Sequence, residues 1–131
     1  MANFGFSGSD RLSAMVARRL DALGCIVDRR DFDDAGEYPD PEFERALVER
    51  HIRLRGKDVF EVGCGNGRLT LAYAARARSV VAIEPNASLV RRARTRARHA
   101  GLDNVRFAVR PAQTGIRGGP YHAVLFSWSL C

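Results

Sequence analysis

Apolar residues in this chain follow two rhythms, and the change comes near Lys57. Beyond it, short and nearly continuous apolar runs alternate with stretches whose apolar residues recur at helical spacing. The runs predict strands over Asp58–Val62, Ser79–Ile83, Val105–Val109 and Ala123–Phe126. Between them, Arg68–Ala77 and Ala87–Ala100 predict helices, the second with Leu89, Ala93, Ala97 and Ala100 on one face and Gly101 just past its end. Ser79-Val80-Val81-Ala82-Ile83 is apolar on both faces of a strand, which suits the interior of a parallel sheet. Strands alternating with helices predict an α/β fold with parallel strands and right-handed crossovers. A loop containing Gly115, Gly118, Gly119 and Pro120 leads into the fourth strand.

Before Lys57 only the helical rhythm is present. Leu12, Met15, Val16, Leu20 and Leu23 predict an amphipathic helix over 9–24, capped by Ser9 or Asp10 and stopped by Gly24. Residues 25–40 read as a loop. A second helix starts at Asp40-Pro41, with a capping aspartate, proline in the first turn, and Glu42 and Glu44 near the positive end of the dipole. Phe43, Ala46, Leu47 and Leu54 form its apolar face, Arg50, Arg53 and Arg55 its basic end, and Gly56 closes it. The expected organisation is an N-terminal helical segment, 1–56, followed by a sheet domain, 57–131.

Composition narrows the function classes. The 131 residues are 46% hydrophobic and 27% charged, as in ordinary globular domains. No apolar run approaches the roughly 18–20 residues of a membrane span, so no membrane partner is expected. The N-terminus has no continuous apolar core of a secretory signal, and Asp10 and Asp21 argue against a transit peptide. Cys25, Cys64 and Cys131 are widely spaced with no C-x-x-C, which fits a reducing, cytoplasmic setting and neither a disulfide framework nor a metal site. His51, His99 and His122 show no ligand spacing.

The net charge is +6, and Lys57 is the only lysine among 21 basic residues. Such usage fits the coding bias of an Arg- and Ala-rich proteome, although a positive field also favours anionic partners such as nucleic acid. Arg91, Arg92, Arg94, Arg96 and Arg98 crowd one helix. They spread over the face opposite Leu89, Ala93 and Ala97 with no interleaved aromatics, the pattern of a solvated face. Nucleic acid is thus an allowed partner, not the favoured one.

Candidate chemistry lies where the first strand ends. Glu61-Val62-Gly63-Cys64-Gly65-Asn66-Gly67 runs from the strand into three alternate glycines and then a helix. That layout lets backbone N–H groups approach a ligand closely. The dinucleotide fingerprint G-x-G-x-x-G would need glycine where Arg68 stands, and the Gly-Lys-Ser/Thr of a P-loop is absent. Glu84 ends the second strand about 20 residues after the loop, where a carboxylate can accept from both hydroxyls of a ribose. The plainer alternative for Glu84 is a solvated strand-end acid.

The loop resembles the acidic-x-Gly-x-Gly-x-Gly loop of class I S-adenosylmethionine-dependent methyltransferases, over residues 57 to about 130. The resemblance implies S-adenosyl-L-methionine as cofactor and a Rossmann-like sheet. It puts Glu61 near the methionine end and the backbone of Gly63, Cys64 and Gly65 around the methionine and ribose, with Gly67 completing the loop and Glu84 on the ribose. Glu61 has a second reading, as an acid that bonds loop N–H groups and holds the turn. After the third strand such enzymes often carry an acid for the adenine amino group. Here Arg110-Pro111-Ala112-Gln113 stands instead, and Pro111 has neither an acceptor side chain nor an N–H. Backbone groups of Ala112 and Gln113, or the Gln113 amide, are the substitutes. Cys64 at a helix start could carry a lowered thiol pKa, or serve only as a small residue between glycines. No catalytic residue can be named. Trp128, within Ser127-Trp128-Ser129, is either a wall of an acceptor pocket or core.

The methyltransferase sheet has seven strands and this chain supplies about four, the last apolar on both faces. An open apolar edge invites pairing. The chain therefore reads as the cofactor-binding front half of a methyltransferase with an unidentified acceptor, its fourth strand awaiting a C-terminal half or a partner chain. The alternatives are a non-catalytic remnant acting as a binding module, an RNA-binding fragment and, trailing, a nicotinamide dehydrogenase.

Overall fold

Strand β1, Asp58–Val62, lies inside a four-stranded sheet of order β3-β2-β1-β4, with β2 at Ser79–Glu84, β3 at Val105–Val109 and β4 at Ala123–Phe126. Every pairing is parallel. This computed structural model describes residues 40–126. The helix expected over 9–24, the loop over 25–40 up to Asp40 and the segment Ser127-Trp128-Ser129 lie outside the described residues. The chain divides into two compact units, Met1–Phe43 and Glu44–Cys131, and the sheet belongs to the second. In the first, Asp40 Oδ1 accepts the Glu42 and Phe43 N–H groups at 2.9 and 3.2 Å, which caps helix α1, Pro41–His51, as its sequence predicts.

Register sorts the strand residues onto two faces. Val59, Glu61, Val80, Ala82, Phe107 and Ala123 share one face, since Val59 pairs with Val80 and Ala123, and Ala82 with Glu61 and Phe107. Against it pack Leu69, Tyr73 and Ala74 of helix α2 (Arg68–Ala74), Val90, Ala93 and Ala97 of helix α3 (Ala87–His99), and Leu54. The small alanines let α3 lie close to the sheet. On the opposite face Phe60, Val62 and Ile83 are buried, and the Tyr121 ring tilts against Phe60 at 5.1 Å between centroids.

Three expectations shift by a turn or a face. Helix α2 ends at Ala74, not Ala77, because Arg76 and Ala77 bond back three residues, to Tyr73 and Ala74, and tighten the final turn. The Asn104 side chain then satisfies the Ala74 and Ala77 carbonyls. In α3 the buried stripe is Val90, Ala93 and Ala97; Leu89 is only partly covered and Ala100 is exposed. The apolar face expected for α1 is only partly buried, with Val48 packed against the core, and it is joined by a charged contact. Glu44 is its buried residue, paired with Arg68 of α2, while Ala46 is exposed and Leu54 enters the core from beyond the helix end. Gly101 does close α3, at φ +68°, with the Leu102 N–H reaching the Ala97 carbonyl.

Candidate functional site at the strand tips

The chain leaves β1 through α2 to β2 and then β3 on one side, and returns to place β4 on the other. Opposite crossovers part at the carboxyl tips of β1 and β4, the crevice where open α/β sheets hold ligands. The glycine loop lies there. Gly63, Gly65 and Gly67 have φ of +74°, +56° and +78°, backbone that a side chain would strain. Gly67 is also confined: a Cβ on it would come within 3.2 Å of Ala93 Cβ and 3.4 Å of the Phe107 ring. A Cβ on Gly65 would meet nothing within 4 Å. Gly67 therefore lets α2 pack on α3, and Gly65 borders open space.

Much of the loop backbone is already bonded. The Gly63 and Cys64 N–H groups both donate to the Ile83 carbonyl, at 2.8 and 3.1 Å, and Gly67 N–H to the Cys64 carbonyl. Gly65 N–H donates to Glu84 Oε2 at 3.1 Å, and Asn86 N–H to Glu84 Oε1 at 3.0 Å. The Glu84 carboxylate is thus drawn to the middle of the glycine loop. Each of its oxygens keeps a lone pair for a further donor.

Glu61 is placed differently. It is fully buried, and its Oε2 accepts both the Thr70 and the Tyr73 hydroxyls at 2.7 Å. Neither donor is a loop N–H; both stand on α2. Oε1 has no hydrogen-bond partner among the described residues. Burial pushes the Glu61 carboxyl above the usual glutamate range, and the two hydroxyl bonds and nearby Arg68 only partly oppose it. Thr70 and Tyr73 are the residues that sequence reasoning missed. Their signal was partial: a buried acid needs donors and positions 70 and 73 share a face of the next helix, but only packing turns that face to Glu61.

Cys64 does not fit an activated thiol. It is buried, and burial together with the charges of Glu61 and Glu84 pushes its thiol up, so any effect of the nearby helix start is outweighed. The small-residue reading is the one that matches.

At the third tip, Arg110 folds the loop after β3 upon itself. Its guanidinium donates to Thr114 Oγ1 and to the Gly115 carbonyl, and Thr114 Oγ1 donates to the Pro111 carbonyl at 2.8 Å. Ala112 opens the short 3-10 turn Ala112–Thr114 and is exposed beside Pro111 and Gln113. Arg110 N–H donates to the Glu84 carbonyl, so Ala112 stands in the loop that continues from the strand beside Glu84. The structure thus gathers Gly63, Cys64, Gly65, Gly67 and Glu84 at neighbouring strand tips, with Ala112 at the third and Glu61 turned inward beneath α2. A further tether was also unforeseen. Arg96 of α3 donates to the Asn66 carbonyl and Oδ1 at 3.2 and 3.1 Å, holding the loop from outside. Among the described residues no cluster of His, Cys, Asp and Glu could hold a metal, and no helix is long and apolar enough to cross a membrane.

Residues 59–131 match a family described as "Methyltransferase domain". The chain belongs to that family. Over 70 residues this methyltransferase domain is 43% identical to the 23S rRNA (uracil(1939)-C(5))-methyltransferase RlmD of Alkalilimnicola ehrlichii, covering 50% of this chain and 16% of that protein. Over 85 residues it is 38% identical to the tRNA U34 carboxymethyltransferase of Pseudomonas aeruginosa PAO1, covering 60% and 26%. The chain therefore spans about a quarter or less of these relatives. Coclaurine N-methyltransferase, solved with N-methylheliamine and SAH, shares the fold at a TM-score of 0.59 and 24% identity, over 66% of this chain and 26% of that one. The fold is that of the class I methyltransferases, with four parallel strands described here.

Proposed function

We propose that this methyltransferase domain binds S-adenosylmethionine across the tips of β1 and β2 and supplies the cofactor half of a methyl-transfer enzyme. The observation that carries the proposal is the contact between Gly65 N–H and the Glu84 carboxylate, which joins loop and acid into one edge beside open space. Glu84 would accept from the ribose hydroxyls, the left-handed turn at Gly65 would leave room for the ligand against the backbone, and exposed Ala112 would offer backbone to the adenine. Glu61 has its one unpartnered oxygen beneath the loop, and its bonds to Thr70 and Tyr73 hold α2 where the loop needs it. When bound, the cofactor supplies an electrophilic methyl group on sulfur. The chain's part in an in-line displacement is to orient it and exclude water.

Calorimetry with S-adenosylhomocysteine tests the proposal. Binding is expected in the full 131-residue chain, and Glu84→Ala should weaken it about 10- to 100-fold, the loss of charge-assisted bonds of about 1.5–3 kcal/mol. A folded chain that gives no binding heat overturns the assignment.

A second reading concerns the acceptor. Two relatives matched over 70 and 85 residues are named for modifying uridine or uracil in RNA, longer matches than the 37 residues shared at 51% identity with an O-methyltransferase of ubiquinone biosynthesis, and that length favours RNA over a small molecule. Transfer of labelled methyl from S-adenosylmethionine into bulk tRNA or rRNA is the expected result, and exclusive labelling of a small-molecule pool would refute it. The outer edge of β4 has no strand partner among the described residues, and Val124 and Phe126 are exposed there. We take that edge as the place where the rest of such a fold, in the same chain or a partner, would add.

A further inference from the structure

Four of the ten arginines elsewhere in the described residues are matched by acids. Arg45 and Arg76 pair with Glu49, Arg68 with Glu44, and Arg78 with Asp58. Helix α3 stands apart by its density of arginine and its lack of acids. Its thirteen residues, ASLVRRARTRARH, carry five arginines and no acid. All five are exposed, and none enters an ion pair among the described residues.

Two of the five have internal tasks. Arg94 donates to the Phe107 carbonyl on the outer edge of β3 at 2.7 Å, and Arg96 holds Asn66. Arg98 reaches only the Thr95 hydroxyl, at 3.5 Å, and Arg91 and Arg92 have no hydrogen bond or ion pair among the described residues. The spacing opposes helix stability, because Arg92 with Arg96 and Arg94 with Arg98 are like charges one turn apart. The helix dipole favours only the cations of the last turn, Arg96 and Arg98, and does nothing for Arg91 and Arg92. A charge arrangement that costs the helix, and that the described residues do not offset, is one that an external polyanion offsets. Guanidinium groups suit phosphate in particular, through paired N–H donors. The face carries no Phe, Tyr or Trp for bases to stack on, so binding would run chiefly through the backbone.

Position adds direction. Helix α3 begins directly after Glu84, so Arg91 and Arg92 lie toward the tips that carry the glycine loop, and Arg98 toward the far end. At about 1.5 Å per residue the helix spans roughly 20 Å.

We propose that the outer face of α3, centred on Arg91, Arg92 and Arg98, is a docking surface for an RNA backbone that leads the strand toward the cofactor edge. The choice of RNA rests on the acceptor reading above; the surface itself does not.

Fluorescence anisotropy with a labelled 20-nucleotide single-stranded RNA of mixed sequence tests it on the full chain. Three phosphate contacts predict that log affinity falls against log salt with a slope of about −2. Arg91→Gln, Arg92→Gln and Arg98→Gln together should lower affinity about tenfold and flatten that slope, with the melting temperature held or slightly raised as the like-charge pairs are removed. The matching lysine triple variant, which keeps the charge, should retain most of the affinity. Wild-type affinity and slope in the glutamine variant would overturn the proposal, as would equal displacement of the RNA by polyglutamate. S-adenosylhomocysteine binding without RNA binding overturns the docking surface and leaves the cofactor reading standing. RNA binding without S-adenosylhomocysteine binding does the reverse.

Discussion

Two carboxylates on β1 show how differently the two ends of this sheet are built. Asp58 opens the strand at the sheet's amino edge and Glu61 sits near its carboxyl edge. Asp58 accepts from Arg78 Nε at 2.8 Å and from Ser79 Oγ at 2.7 Å, which fastens the start of β2. Its backbone exchanges bonds with His122: Asp58 N–H donates to His122 Nδ1, and His122 N–H to the Asp58 carbonyl, which fastens the start of β4. Glu61 is fully buried and accepts only from the neutral Thr70 and Tyr73 hydroxyls among the described residues. The Arg78 bond, then Ser79, hold the Asp58 carboxyl well below the usual range, whereas burial pushes Glu61 up. A cationic donor at a wet edge makes a fixed charge that clips strands together. Hydroxyl donors in a dry core make a group whose charge remains costly, and that group underlies the glycine loop.

The largest expected break in this comparison is truncation. Glu61→Ala leaves a buried cavity and two unpaired hydroxyls, and should cost about 3 kcal/mol in urea unfolding. Asp58→Ala should cost clearly less, because surface ion pairs are screened by water. Equal losses would mean that the two ends are not built differently. Within the carboxyl edge, Gly67→Ala should destabilise by about 2 kcal/mol, from strain at positive φ and the crowded contact with Ala93, and Gly65→Ala by about 1 kcal/mol from strain alone. Thermal unfolding checks both. If Gly65→Ala is the milder change for stability yet the harsher for S-adenosylhomocysteine binding, the division between a packing glycine and a ligand-facing one is sharpened.

The smallest effect is the dependence on pH, where the two carboxylates have opposite signs. Glu61 has a folded pKa raised above its ordinary 4.5, so the stability it contributes is full below that value and is lost as pH rises through the folded pKa. The slope cannot exceed about 1.4 kcal/mol per pH unit for one proton. Asp58 has a folded pKa depressed below its ordinary 3.8, so its contribution is present above that value and is lost as pH falls toward the folded one. Denaturant midpoints across pH should show Glu61→Gln removing the decline above 4.5, and Asp58→Asn removing the part of the acid decline below 3.8. A decline above 4.5 that survives Glu61→Gln would place its origin elsewhere.

Strand positions were legible because each strand is a short, nearly continuous apolar run. Asp58–Val62, Val105–Val109 and Ala123–Phe126 stand where the pattern places them, and β2 extends one residue further, to Glu84. The helices were less legible. Their buried faces depend on partners distant in sequence: Arg68 turns Glu44 inward, and Asn104 finishes α2. Glycine spacing and the strand-end acid pointed to Gly63, Gly65, Gly67 and Glu84, which the structure gathers at neighbouring strand tips, since both signals are local. The donors to Glu61 and the Arg96 tether on Asn66 were not identified, because each joins residues that only packing brings together.

By itself, then, the sequence determined the alternation of strand and helix, the left-handed turns that only glycine accepts easily, and the acid at the second strand tip. These follow from backbone sterics and from the period of apolar residues, which a chain carries locally. The tertiary structure alone decided what each charge means. It turned Asp58 into a clip and Glu61 into a buried prop, drew Glu84 onto Gly65, and left the arginines of α3 facing outward. The reason is that the cost of a charge is set by its distance from water and from its counter-groups, and neither distance exists until the chain has folded.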